Sequence, residues 1–178
     1  MTVQIKIALF PYLLFIGLLS SCAITVPKSI DEKIIDIPAL HVVRQNVDAY
    51  IERRVRWGGV IANVVNKKNT TVLEIVDHPL SKEGRPIETD QTQGRFLARF
   101  KGFLDPVVYA TGREITVVGT VSRETKQLID QFEYTYPEII VDSFNLWRPA
   151  EKDNDYNYDP YWPYFGPWYP PYYPRRYY

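Results

Sequence analysis

Val55-Arg56-Trp57-Gly58-Gly59-Val60-Ile61-Ala62-Asn63-Val64-Val65 is the stretch on which the fold turns. β-Branched and aromatic residues dominate it, and side chains alternate at period two. Alternation puts Val55 and Trp57 on one face and Arg54 and Arg56 on the other. The glycine pair in its middle marks a bulge or a sharp bend, as at a barrel corner. A polar turn follows, Asn66-Lys67-Lys68-Asn69, and then residues 70–76 read as a second strand. The two strands form a hairpin.

Working outward, residues 78–93 are a polar loop with Pro79, Gly84 and Pro86. Residues 94–103 read as a third strand, with Phe96, Ala98 and Phe100 on one face. Asp105-Pro106 has the form of an N-cap followed by proline at the first helical position, opening a short turn toward Tyr109. Residues 114–121 alternate most clearly, and 139–147 give a fifth strand. Upstream, Leu40, Val43, Val47 and Ile51 recur at spacings of three and four, which suits a short amphipathic helix after Pro38, and a turn at Asn46-Val47-Asp48 reads equally well for its end. Residues 38–149 are therefore expected to be mainly β. The expected form is a small five-stranded OB-like barrel with a short N-terminal helix and an irregular C-terminal tail. Residues 105–111 are the candidate for the helix between the third and fourth strands of such a barrel. A two-sheet sandwich is the alternative. A membrane-spanning barrel needs at least about eight strands of roughly 9–11 residues, and five are visible.

The 178 residues suffice for one ordinary domain with appendages. Lys+Arg and Asp+Glu both number 21, so nothing favours gripping nucleic acid by bulk charge, and no nucleic-acid partner is expected. The single cysteine excludes an intramolecular disulfide and any multi-cysteine metal site. No metal and no cofactor is expected.

That cysteine is better read as an address. Lys6 is the only charge in the first 27 residues, and residues 7–19 are apolar apart from Pro11 and Gly17. A basic start, an apolar core and small residues at its end make a secretory signal. Leu19-Ser20-Ser21-Cys22 resembles a bacterial lipobox, in which the thiol takes a diacylglycerol and the chain is cut before the cysteine. Cys22 is therefore the expected lipidation site, with membrane lipid as its partner. Each buried methylene is worth about 0.8 kcal/mol, and several chains hold a protein firmly. Residues 1–21 are the expected lipoprotein signal peptide and 22–37 a tether, with Pro27, mixed charge and little periodicity. An uncleaved anchor helix over 7–26 is the rival reading, since about 20 uncharged residues can span a bilayer.

Several blocks carry a resemblance to a known family. Arg56-Trp57-Gly58-Gly59-Val60-Ile61 is followed by Thr71-Val72-Leu73-Glu74-Ile75 and Pro79-Leu80. Gly94-Arg95-Phe96-Leu97-Ala98 and Gly102-Phe103-Leu104-Asp105-Pro106 come next. Tyr109, Gly112, Val117-Val118-Gly119 and Leu146-Trp147 complete the series. With the lipobox, the chain is similar to the Slp family of Gram-negative outer-membrane lipoproteins. The resemblance implies a lipid-anchored protein of the cell outer membrane, of a kind in some cases induced by starvation. It implies no enzymatic activity and no catalytic residue, and the one position it carries over with a chemical role is Cys22. By the sorting rule associated with such lipoproteins, Ala23 rather than Asp after the cysteine points to the outer membrane.

The tail, residues 150–178, has a different composition. Of the chain's 4 Trp, 14 Tyr and 8 Phe, twelve rings lie between Tyr156 and Tyr178, among six prolines from Pro160 to Pro174. Frequent proline forbids a continuous ladder or helix, so an extended or polyproline-like backbone is expected. Three readings stay open. The tail folds over the barrel; it sits at a membrane interface, with Arg175 and Arg176 beside phosphates; or it recognises an envelope protein or a glycan.

Chemistry has little support. Glu74, Asp77 and His78 lie close in sequence, but two carboxylates and one imidazole without ligand spacing read first as a solvated strand end. Arg53, Arg54 and Arg56 beside Trp57 form the one dense basic cluster, read as an outward, solvated face. The leading expectation is a non-enzymatic envelope protein with a structural or stress-protective role exerted through contacts. The alternative is a periplasm-facing module that binds a small ligand or glycan, for which a groove lined by Trp57, Phe96 or Phe100 would speak.

Overall fold

The first strand divides its edges between two partners. In the computed structural model, which describes residues 25–149, β1 (Arg54–Asn66) pairs with β4 (Glu114–Ile129) from Arg54 to Val60. From Gly59 to Asn66 it pairs with β2 (Thr70–Asp77). β3 (Arg95–Lys101) lies antiparallel to β2 and parallel to β5 (Phe132–Leu146), and β5 returns to β4. The strand order β1-β2-β3-β5-β4 closes on itself, which is the expected five-stranded barrel rather than a sandwich. Closure removes the exposed edges that an open sheet would carry.

The glycine pair serves that hand-over, and of the two expectations, a bulge or a sharp bend, the bulge falls elsewhere. The register shift in β1 falls between Ile61 and Asn63, at Ala62. Gly59 is needed for close approach instead, because a Cβ there would lie 1.8 Å from the Val76 carbonyl oxygen. Gly119 is in the same position against Ile140, at 2.2 Å.

The expected alternation decides the core. Val55, Trp57, Ile61, Leu73, Ile75, Phe96, Ala98 and Phe100 all point inward and are buried. Trp57 meets Phe96 edge-on, with centroids 5.4 Å apart, a geometry worth about 0.5–1.5 kcal/mol beyond area burial. The helix α1 (Leu40–Gln45) closes one side of this core with Leu40 and Val43, and a 3-10 turn (Val47–Tyr50) adds Val47. Asn46, extended at φ −155°, breaks the helix between them, so the fourth expected position, Ile51, lies 44% exposed. The Trp57 indole N–H donates to the Pro38 carbonyl oxygen at 3.0 Å, which seats the helix start on β1.

Two expectations need correction. β4 and β5 do not stop at 121 and start at 139; they run on as a hairpin to Ile129 and back from Phe132. Beyond the barrel both faces of this arm meet water in places, with Leu128 and Phe132 exposed, so no alternation announces it. The segment 105–111 is the short turn that Asp105-Pro106 announces, and not the helix that an OB-like barrel would place between the third and fourth strands. Asp105 Oδ1 accepts from the Val107 N–H and its carbonyl from the Tyr109 N–H, as in a single capped turn.

The described part of the expected tether, 25–37, contains no helix or strand but is not free of the barrel. Ile30 is fully buried, its carbonyl accepts from Arg56, and Glu32 pairs with Arg54. Cys22, the signal segment and the tail lie outside the described residues.

Candidate functional site

A carboxyl sits where the alternation of β2 demands an apolar side chain, on the same face as the buried hydroxyl of Thr71. Leu73, Ile75 and Asp77 share the inward face, and Asp77 is almost as buried as the other two. Its carboxyl borders an open cleft of about 290 Å³ between the Pro38–Leu40 segment, Arg56, Trp57 and the start of the 78–93 loop. Burial pushes this carboxyl up to about 7, against the opposing pull of the Gln93 backbone N–H and of the His41 charge. His41 Nδ1 lies 3.1 Å from Gln93 Oε1, so the loop end and the helix meet at this carboxyl. A carboxyl that is half protonated near neutrality can donate as well as accept a hydrogen bond.

The three residues grouped in sequence are not brought together. Glu74 points to the outer face, where it accepts from Arg95 at 2.7 Å and from the Tyr136 hydroxyl at 2.9 Å. His78 Nδ1 lies 3.2 Å from the Ile87 carbonyl oxygen. Among the described residues, no group of three His, Cys, Asp or Glu side chains could hold a metal ion.

Of Trp57, Phe96 and Phe100, whose lining of a groove would favour the alternative reading, Trp57 borders this cleft and Phe100 a separate one of about 220 Å³ beside Lys101 and Asp142, whereas Phe96 borders neither. All three belong to the packed core of the barrel. Arg54 and Arg56 do face outward, as alternation predicts, and both are engaged, although the buried Arg56 Nε has no partner among the described residues. Arg54 pairs with Glu32 and Asp142, and Arg56 donates to the Ile30 carbonyl.

The outer face also carries a buried ion cluster that sequence reasoning missed. Glu138, almost wholly buried, accepts from Arg99, Arg123 and Thr125. Burial pushes its carboxyl up, but the hydrogen bonds and charges of Arg99 and Arg123 outweigh that and hold it below the usual range. These contacts join β3, β4 and β5, so the cluster reads as a structural clamp rather than a reactive site. No signal short of knowing that β3 lies parallel to β5 could have found it.

Comparison with known proteins adds the context that geometry lacks. The model of the outer membrane lipoprotein Slp family matches residues 19–177. That span takes in Cys22 and nearly the whole tail, and is wider than the 55–147 blocks quoted above. The outer membrane protein Slp of Escherichia coli is 36% identical over 120 residues, covering 64% of this chain and 63% of that protein. The chain thus matches less than two thirds of the length of that relative. An uncharacterized protein of Haemophilus influenzae is 31% identical over 90% of this chain and 88% of its own. Neither relative carries an enzymatic name. Among solved structures, the mitochondrial single-stranded DNA binding protein Rim1 of S. cerevisiae aligns with 55% of this chain and 96% of its own. The identity is 13% and the TM-score 0.33.

Proposed function

The chain belongs to the outer membrane lipoprotein Slp family, and from that premise we propose that it is held in the outer membrane by acyl chains on Cys22 and works there without catalysis. The role is structural or stress-protective and is exerted through contacts with the envelope. The observation that carries the reading is the family match across 19–177, which includes the one cysteine at its lipobox position. The barrel agrees with it: its inward faces are filled by packed side chains, and its ion pairs lock strands together.

Mass spectrometry of the mature protein tests the anchor, with cleavage before Cys22 and a diacylglycerol on its sulfur as the expected result. Cys22→Ser is expected to release the chain from the outer-membrane fraction. In-cell crosslinking and a dye-permeability assay of a deletion strain under starvation test the role. Unchanged permeability together with no crosslinked envelope partner would overturn it.

A second reading is favoured by the buried Asp77 carboxyl at its cleft: a small hydrogen-bonding ligand or a sugar seated between helix α1 and the 78–93 loop. Chemical-shift changes confined to Asp77, Gln93 and His41 on adding mono- and disaccharides would support it. Absence of shifts across such a panel would sink it.

A further inference from the structure

Two adjacent loop residues, Gly84 and Arg85, hold the incoming and the outgoing ends of the described chain. A Cβ placed on Gly84 would lie 3.0 Å from Ile30 Cδ1 and 3.9 Å from Val26 Cγ1, so the N-terminal segment packs directly on this glycine. Arg85 donates to the Arg148 carbonyl oxygen at 3.1 Å and pairs with Glu114 at 2.6 Å, which fixes the point where the chain leaves toward the tail. The loop is itself tied to the barrel wall, because the Thr116 hydroxyl donates to the Gly84 carbonyl at 2.6 Å. Both ends therefore leave from one side, over the seam between β1 and β4.

We propose that this side, centred on residues 81–88, is the surface that the barrel lays against the phospholipid bilayer. The inference rests on the reading of Cys22 as the acylated residue. Three residues separate Cys22 from Val26, and the four steps between them, at about 3.3–3.6 Å each, reach no more than about 14 Å. The docking of Ile30 and Val26 on Gly84 shortens the free tether to this length and so limits how far the barrel can swing away. The chemistry of the side fits an interface. Ile87 is 46% exposed beside Pro86 and Pro149, at a cavity of about 340 Å³. Glu88, Arg113 and Glu114 line the same cavity, and the loop itself carries the exposed Lys82. An exposed lysine such as Lys82 lays its stem on apolar surface and reaches phosphates with its head, whereas Arg85 and Arg113 are held by Glu114 and by backbone carbonyls. The tail that begins here carries twelve aromatic rings, a composition favoured at the headgroup layer. β3 lies across the ring from the β1–β4 seam, so Lys101 at its end faces away.

The test uses the full lipidated chain in vesicles of phosphatidylethanolamine and phosphatidylglycerol containing a headgroup-nitroxide lipid. Single thiols introduced as Ile87→Cys, Glu88→Cys and Lys101→Cys carry a fluorophore, the native thiol being blocked by its acyl group. Several-fold stronger quenching at 87 and 88 than at 101 is expected. Two exposed reporters on the loop guard against one perturbing it, and thermal melting checks the fold of each. Equal quenching at all three positions, or stronger quenching at 101, overturns the proposal. Mass spectrometry of the same sample separates the two failures. An unacylated Cys22 removes the premise and the inference together, whereas acylated protein with equal quenching removes only the orientation.

Discussion

Arg99 Nε donates to Glu138 Oε1 at 2.5 Å across the seam where β3 and β5 run parallel. The pair closes the barrel at a place where three residue pairs define the ladder, from Leu97–Glu138 to Arg99–Ile140. Glu138 is 2% exposed, so its charge depends on its partners.

Removing one partner from this cluster strands a buried charge. Arg99→Met is expected to destabilise the barrel by about 3 kcal/mol, measured by urea unfolding. Arg123→Met, at the more exposed arm of the cluster, is expected to cost about 1 kcal/mol or less. Equal costs for the two would mean that burial does not set the value of these pairs.

Gly59 and Gly102 separate two reasons for glycine. Gly59→Ala drives a methyl into the Val76 carbonyl at 1.8 Å, and the folded state is expected to be lost or its midpoint to collapse. Gly102 has φ +78° with nothing within 4 Å of a Cβ, so Gly102→Ala is expected to cost about 1 kcal/mol for the left-handed backbone alone. Circular dichroism melts of both variants decide the matter.

Asp77 is expected to make the protein more stable in mild acid than at neutral pH on its own account. Its folded carboxyl titrates near 7 and its unfolded one near the ordinary 3.8, so the folded state binds the extra proton between these values. Stability from this group falls as pH rises from about 4 to about 7, then levels off. Asp77→Asn is expected to gain on the order of 3 kcal/mol over wild type at pH 7.5 relative to pH 4.5. Glu138 acts in the opposite sense, because its depressed carboxyl costs stability only as pH falls through the acid range. A wild-type-minus-variant difference that does not change with pH would refute the assignment to Asp77.

Ile30 measures how firmly the segment after the anchor is docked. Ile30→Ala is expected to cost about 2–5 kcal/mol, because its side chain is fully buried. Ile35→Ala, 88% exposed, is expected to stay within about 0.5 kcal/mol of wild type. Denaturant midpoints of the two variants supply the comparison.

The barrel strands were legible where one face meets a packed core and the other meets water. Val55 and Trp57 against Arg54 and Arg56, or Leu73 and Ile75 against Glu74, show the alternation plainly because burial imposes it. The arm from Ser122 to Glu138 was not legible for the converse reason. Arg123, Glu124, Lys126 and Leu128 lie where the arm leaves the barrel, and without a core beneath them residue type carries little information about strand geometry. Pro137 in β5 further disguises the return strand. Asp77 could have been noticed, since it continues the inward register of Leu73 and Ile75, but its burial depends on Gln93 and His41 arriving from elsewhere.

The sequence by itself determined local matters: the alternation of β1 to β3, the capped turn at Asp105, the separate composition of the tail and the lipobox that makes Cys22 the expected anchor. Each depends on neighbours within a few positions, so each is written in the order of residues. Tertiary structure alone decided that β1 is shared between β2 and β4, that Gly59 serves close approach rather than a bulge, that Arg99 meets Glu138, and that Gly84 and Arg85 gather both ends of the described chain. These are contacts between residues far apart in the chain, and their existence follows from the closure of the barrel rather than from any local preference.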